Sequence, residues 1–187
     1  MEEQAQQDEA ALREWMNRYG DHLLRTAVML LKDYQTAEEV VQDTFVQAFR
    51  KADQLKEPSR LKSWLTAITV NGCRMRQRRW SWKYIFPSEI GNTENPADER
   101  QGPESRLLAA SRNEELKRAV QKLSYNYRET VVLYYYNEYS VEEITELLGC
   151  STNTIKSRLR RGRAKLRELW EKEEQEFERR QTAPKQL

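Results

Sequence analysis

The sequence predicts an all-α protein of two small helical domains joined by a flexible linker, the second a helix-turn-helix domain. Three observations carry that expectation. Apolar residues recur at spacings of three and four through most of the chain, the pattern of helices that each bury one stripe. Only six Gly and five Pro occur in 187 residues, too few for a turn-rich β architecture. Pro87, Pro96, Pro103, Gly91 and Gly102 fall in one polar stretch without apolar period, as expected of a linker. The division that follows is 1–86, a linker over 87–105, a second domain over 106–170 and a charged tail over 171–187.

Leu12, Trp15, Met16, Tyr19, Leu23, Ala27, Leu30 and Leu31 predict the first amphipathic helix. A second is expected to open at Thr36, with Glu39 completing a T-x-x-E capping box. Its core stripe is Ala37, Val40, Val41, Phe45 and Ala48, and Glu39, Gln42, Asp43, Val46 and Arg50 share the face left for a partner. A third begins at Pro58 and Ser59, with Leu61, Trp64, Leu65, Ile68, Gly72 and Met75 on one side. It ends in Arg74, Arg76, Arg78 and Arg79, and runs straight into Trp80, Trp82, Tyr84 and Phe86. Packing can hide some of those rings. Rings beside four arginines are also the composition that stacks unpaired bases.

After the linker, Leu116, Ala119, Val120 and Leu123 mark one helix, and about Tyr127 to Tyr136 another, whose Tyr134, Tyr135 and Tyr136 read as core or boundary aromatics. Ser140 and Glu143 then form a capping box, Val141, Ile144, Leu147 and Leu148 a short helix, and Gly149 its left-handed end. The next helix carries Ile155, Leu159, Gly162, Leu166 and Leu169 as its stripe. A short helix, a turn containing Gly and a longer helix describe a helix-turn-helix.

Charge locates the contacts. Residues 1–57 and 89–150 each hold seven basic and twelve acidic residues, whereas 58–88 hold seven basic and no acidic ones and 151–187 eleven against six. Two basic blocks separated by acidic ones suit two contacts with one polyanion. From Thr152 to Arg167 the last helix carries Lys156, Arg158, Arg160, Arg161, Arg163, Lys165 and Arg167 without an acid. In helix-turn-helix geometry its start, from Thr152, meets the duplex, and Asn153, Thr154, Lys156, Ser157 and Arg160 are the candidates for reading sequence. Arg158, Arg161, Arg163 and Lys165 suit phosphates. Gly162 inside a helix costs roughly 1 kcal/mol against Ala, which points to a close packing contact.

Other classes are disfavoured. Cys73 and Cys150 have no neighbouring Cys or His for a metal or redox pair, and one histidine, His22, lies in a core-patterned helix. No Gly-rich phosphate loop occurs, so neither an enzyme, a cofactor nor a metal is expected. The acidic N-terminus is unlike a secretory signal, and the longest apolar run, Ala27 to Leu31, cannot span a bilayer. A cytoplasmic protein without membrane insertion is expected.

Taken together, these motifs resemble the extracytoplasmic-function class of the sigma-70 family, over about residues 10–170. The stretch TAEEVVQDTFVQAFRKADQLK at 36–56 resembles the segment that docks on the β′ clamp helices of core RNA polymerase. Lys62-Ser63-Trp64-Leu65 through Ile68 to Asn71 resembles the promoter-melting helix, and YSVEEITELLGCSTNTIKSRLRRGRAKLREL at 139–169 the −35 reader. The resemblance implies that Glu39, Gln42, Asp43 and Phe49 contact the clamp. It assigns Trp64, Asn71, Arg74, Arg76, Arg78, Arg79, Trp80 and Trp82 to the separated −10 strand, and 152–163 to the −35 duplex. It also implies contact with the β flap and a dedicated anti-sigma factor. The family often has Ala after the Ile of the melting helix and Asp before its Arg pair, where this chain has Thr69 and Met75; the departure bears on −10 base preference. The competing reading is a free-standing dimeric helix-turn-helix regulator, which needs a self-complementary interface. The chain shows no dimerisation heptad.

Overall fold

The computed structural model describes residues 2–55, 57–85 and 116–182, with side chains at 9–55, 57–79 and 116–172. Every regular element among them is helical, and the chain divides into two compact units, Met1–Arg100 and Gln101–Leu187. The stretch expected as a linker, 87–105, lies outside the described residues.

In the first unit α1 (Glu2–Leu31), α2 (Tyr34–Arg50) and α3 (Leu61–Ile85) pack on one another. Lys32, in the left-handed region at φ 66°, separates α1 from α2. Leu23, Ala27, Leu30 and Leu31 of α1 meet the whole expected stripe of α2, Ala37, Val40, Val41, Phe45 and Ala48, all buried. Each large aliphatic side chain so buried contributes about 1.5–3 kcal/mol over exposure.

Two expectations change here. The residue that caps α2 is Asp33, whose carboxylate accepts the Thr36 amide at 3.3 Å and also the Thr36 hydroxyl. An ionised carboxylate is the stronger acceptor, so Thr36 becomes the capped residue, and Glu39 points elsewhere. The buried stripe of α3 is also rotated from the expected one. Leu61 and Leu65 are buried with Thr66, Thr69, Val70 and Cys73, while Met75 is 58% exposed. Threonine can be buried because its hydroxyl bonds back along its own helix, Thr66 to the Lys62 carbonyl at 2.9 Å and Thr69 to that of Leu65 at 3.0 Å. Thr44 of α2 does the same with Val40 at 2.8 Å, and its oxygen lies 3.1 Å from that of Thr69. Three contacts share two hydroxyl protons, so a Thr44–Thr69 bond between α2 and α3 forms only when one of the two hydroxyls turns from its own helix.

In the second unit, helix 116–122, here α4, precedes α5 (Tyr125–Val131), a π-helical turn (Val132–Tyr136), α6 (Val141–Leu148) and α7 (Thr152–Thr182). Ala119, Val120, Leu123, Val131, Val132, Leu133, Ile144, Leu148, Ile155 and Leu159 form the core. Buried Arg128 closes the α4–α5 corner, donating to the carbonyls of Gln121 at 3.2 Å and Leu123 at 2.8 Å with its guanidinium over the Tyr125 ring. Burial lowers the Arg128 pKa, and Tyr125 and Glu129 oppose the shift.

The second helix is shorter than expected because the chain widens into the π turn. There the amide nitrogen and side-chain amide of Asn137 both donate to the Val132 carbonyl, at 3.1 and 3.2 Å. That turn carries Tyr134 and Tyr135 outward, 38% and 53% exposed, rather than into the core.

Candidate nucleic-acid interface

The helix-turn-helix is built by local chemistry. Ser140 Oγ accepts the Glu143 amide at 3.1 Å while the Glu143 carboxylate accepts the Ser140 amide at 2.8 Å, so α6 begins at a closed capping box. It ends at Gly149, whose φ of 63° and ψ of 35° belong to the left-handed region that Gly enters without a Cβ penalty. Ser151 Oγ then accepts the Thr154 amide at 3.2 Å, which starts α7.

Ile155, Leu159 and Gly162 fix the rotation of α7 by packing inward. A Cβ on Gly162 would stand 2.9 Å from Val131 Cγ2 and 3.6 Å from Tyr127 Cβ, the close contact that the sequence implied. With that face held against α5, Asn153, Lys156, Arg160, Arg161 and Arg163 are exposed, and Thr152, Thr154, Ser157 and Arg158 half-buried.

Among the described residues, none of Lys156, Arg158, Arg160, Arg161 and Arg163 meets a carboxylate. The next cations do. Lys165 lies 2.8 Å from Glu168, Lys172 3.0 Å from the same carboxyl, and Arg167 2.8 Å from Glu171. Lys165, expected among the phosphate contacts, is thus already matched within its own helix, and the uncompensated charge ends at Arg163. The two lysines hold the exposed Glu168 carboxyl down to about 2, chiefly through hydrogen bonds.

The site also recruits residues that periodicity did not single out. Ser124, Asn126 and Tyr127, at the start of α5, face Asn153, Thr154, Ser157, Arg158 and Arg161 across an open recess of about 490 Å³. Their sequence neighbourhood carries no motif; only the packing of α5 on α7 shows where they go.

In the first unit Glu39, Gln42 and Asp43 share one exposed face of α2 with Val46 and Phe49, 49% and 43% exposed. Trp64, Asn71, Arg74 and Arg78 follow one helical stripe of α3, half-buried at Trp64 and Arg74 and exposed at Asn71 and Arg78. Arg79 is exposed as well. Trp80 and Trp82 fall within α3, while their side chains lie outside the described residues, as do Phe86 and its surroundings.

Arg76 departs from that stripe. It turns to α2, with Nη1 3.0 Å from Glu39 and Nη2 3.3 Å from Asp43. The approach depends on Gly72, one turn earlier, where a Cβ would stand 2.9 Å from Val40 Cγ1. An arginine expected on the −10 strand therefore holds two carboxylates expected on the polymerase.

No group of three or more metal-ligating side chains occurs among the described residues, and no helix there is long and apolar enough to cross a membrane.

Comparison with known proteins agrees with this arrangement. The family described as sigma-70 region 2 matches residues 15–83, and that described as sigma-70, region 4 matches residues 113–166. The chain is 27% identical over 166 residues to the ECF RNA polymerase sigma factor SigW of Bacillus subtilis, covering 86% of this chain and 89% of that protein. It is 31% identical over 176 residues to the ECF RNA polymerase sigma factor SigE of Mycolicibacterium smegmatis, covering 90% and 66%. Among solved structures, the sigma factor RpoE of Bartonella quintana, in complex with the anti-sigma factor NepR, matches with a TM-score of 0.61 at 27% identity. That match covers 85% of this chain and 96% of that one. With α2 and α3 inside the region 2 match and the helix-turn-helix inside the region 4 match, the chain belongs to the sigma-70 family, in its extracytoplasmic-function class.

Proposed function

We propose that this protein is a specificity subunit of RNA polymerase: it binds the core enzyme, directs it to promoters with particular −35 and −10 elements, and assists strand opening without chemistry of its own. One observation carries the reading. A single chain holds an uncompensated cationic helix suited to a duplex groove and, in a separate unit, a basic α3 running toward Trp80 and Trp82, suited to unpaired bases.

The division of labour follows. The α7 residues Thr152 to Arg163 read the −35 duplex; Trp64, Asn71, Arg74, Arg78, Arg79, Trp80 and Trp82 handle the −10 strand. The α2 face with Glu39, Gln42, Asp43 and Phe49 docks on the β′ clamp helices, and the second unit meets the β flap. The protein acts where the polymerase is, in the cytoplasm, and an anti-sigma factor restrains it, a reading supported by the similar RpoE having been solved with one.

Run-off transcription tests the central claim. Purified protein with core polymerase is expected to give promoter-specific transcripts on genomic templates; no such transcript, together with tight binding of palindromic DNA by the protein alone, would establish the dimeric regulator instead. Recovery of polymerase but never an inhibitory partner from the native host would count against the anti-sigma factor.

A further inference from the structure

The most exposed large apolar side chain among the described residues is Met75, at 58%. It stands on the outward face of α3: at about 100° per residue, Trp64, Asn71, Met75 and Arg78 fall within about 60° of one another, roughly opposite the buried Leu65, Thr69 and Cys73. A single exposed apolar residue is ordinary on a protein surface; its neighbours set this one apart. Trp64 and Ile68, both half-buried, precede it along the same edge of the helix, and Asn71, Arg74 and Arg78 run beside them. An apolar track thus lies next to a cationic one. Residues 58–88 contain no acid, and neither Arg78 nor Arg79 meets a carboxylate among the described residues. Bases on one side and phosphates on the other are what a single strand offers to such a surface.

We propose that Met75 is a specificity-determining residue of the −10 contact: its side chain packs on the 5-methyl group of one thymine in the separated strand. The inference rests on the reading of α3 as the helix that handles that strand. Of the groups that a DNA base projects, the thymine methyl is the apolar one, while the other edges carry hydrogen-bonding atoms. A thioether is at best a weak acceptor. Against any of those edges it would strip water and return no comparable bond. Against the methyl group both partners lose apolar surface to each other, which is favourable. Met75 therefore selects thymine, and its unbranched chain can follow a base that no partner strand holds in place. Arg78 and Arg79 beside it suit the phosphates of the same strand, which adds affinity without base preference.

The experiment uses the full-length chain assembled with core polymerase, on promoter templates whose −10 strand is already unpaired, so that base contact is read apart from strand opening. Thymine and deoxyuridine, which differ by the methyl group alone, are compared at each position of that strand. Burial of one methyl group predicts roughly fourfold tighter binding of thymine by the wild type at one position. Met75→Ala and Met75→Gln should remove that difference and leave the other positions as they are, while Met75→Leu should keep a preference for thymine. All three should unfold at the wild-type temperature, because the side chain is exposed, and should assemble with core polymerase as the wild type does.

Equal binding of thymine and deoxyuridine by the wild type at every position would overturn the proposal. So would a difference that survives Met75→Ala unchanged, which would assign the methyl contact to another side chain. Weaker assembly of the Met75 variants with core polymerase, with the thymine preference intact, would overturn it as well and place this face against polymerase. Failure of the wild-type holoenzyme to bind the unpaired −10 strand more tightly than a random one would instead overturn the underlying reading of α3.

Discussion

The guanidinium of Arg76 on α3 spans two carboxylates of α2, Glu39 at 3.0 Å and Asp43 at 3.3 Å, and so ties the helix expected on DNA to the face expected on polymerase. Arg76 is 31% exposed while its partners are 49% and 65% exposed. Solvent therefore screens the pair, and its coupling is expected near the upper end of surface ion pairs, about 1 kcal/mol. In urea unfolding, Arg76→Ala should destabilise the protein by about that amount, and Glu39→Gln should then cost little more. Arg78→Ala and Arg79→Ala, whose side chains are exposed, should leave stability within about 0.5 kcal/mol while impairing promoter opening in a permanganate footprint.

The capping assignments can be separated by mutation. Asp33→Ala and Ser140→Ala should each destabilise by about 1 kcal/mol, whereas Thr36→Ala should cost less, because Asp33 still accepts the amide at that position. Equal losses for Asp33→Ala and Thr36→Ala in thermal melts would restore Thr36 as the cap.

Gly162→Ala sets two effects against each other. Helix propensity favours Ala by about 1 kcal/mol, but the new methyl would lie 2.9 Å from Val131 Cγ2, a buried and stiff side chain. Overpacking costs about 1–3 kcal/mol, so a net loss of up to about 2 kcal/mol is expected. In the Val131→Ala background the same substitution should turn neutral or stabilising, which calorimetry would show.

Along α7, Arg161→Ala should weaken promoter use on every −35 sequence and reduce the salt slope by about one, whereas substitutions of Asn153 or Lys156 should change the preferred −35 bases. Binding measured across a −35 library distinguishes these outcomes; identical losses for both types on every variant would refute the sorting.

Glu168 gives a pH prediction. Its folded pKa, about 2, lies below the ordinary glutamate range. A depressed carboxyl stabilises the folded state at pH above its unfolded pKa, and the contribution fades as pH falls toward about 2. The side-chain carboxyl resonance should titrate near that value, and Lys165→Gln or Lys172→Gln should move it up toward the ordinary range.

The second domain was the more legible in sequence because its determinants are local. Ser140 with Glu143, Gly149, and an acid-free run after Thr152 each act within a few residues, and all three stand where the pattern put them. Long-range effects were hidden. Arg76 meets partners 37 and 33 positions away, which no window reveals. The rotation of α3 is not legible in a hydropathy pattern because Thr66 and Thr69 count as polar there, although the preceding turn offers their hydroxyls carbonyl acceptors. Ser124, Asn126 and Tyr127 became visible only through the packing of α5 against α7.

On the proposed reading, the ion pairs that begin at Lys165 also bound the stretch of α7 offered to DNA. From Thr152 to Arg163 the helix rises about 18 Å, which matches roughly five base pairs of duplex. Beyond that point α7 continues to Thr182, but Lys165 and Lys172 share the Glu168 carboxyl and Arg167 pairs with Glu171. On the proposed reading of α7, the duplex contact is therefore expected to end near Arg163, where carboxylates begin to share the helix surface, and not where the backbone stops.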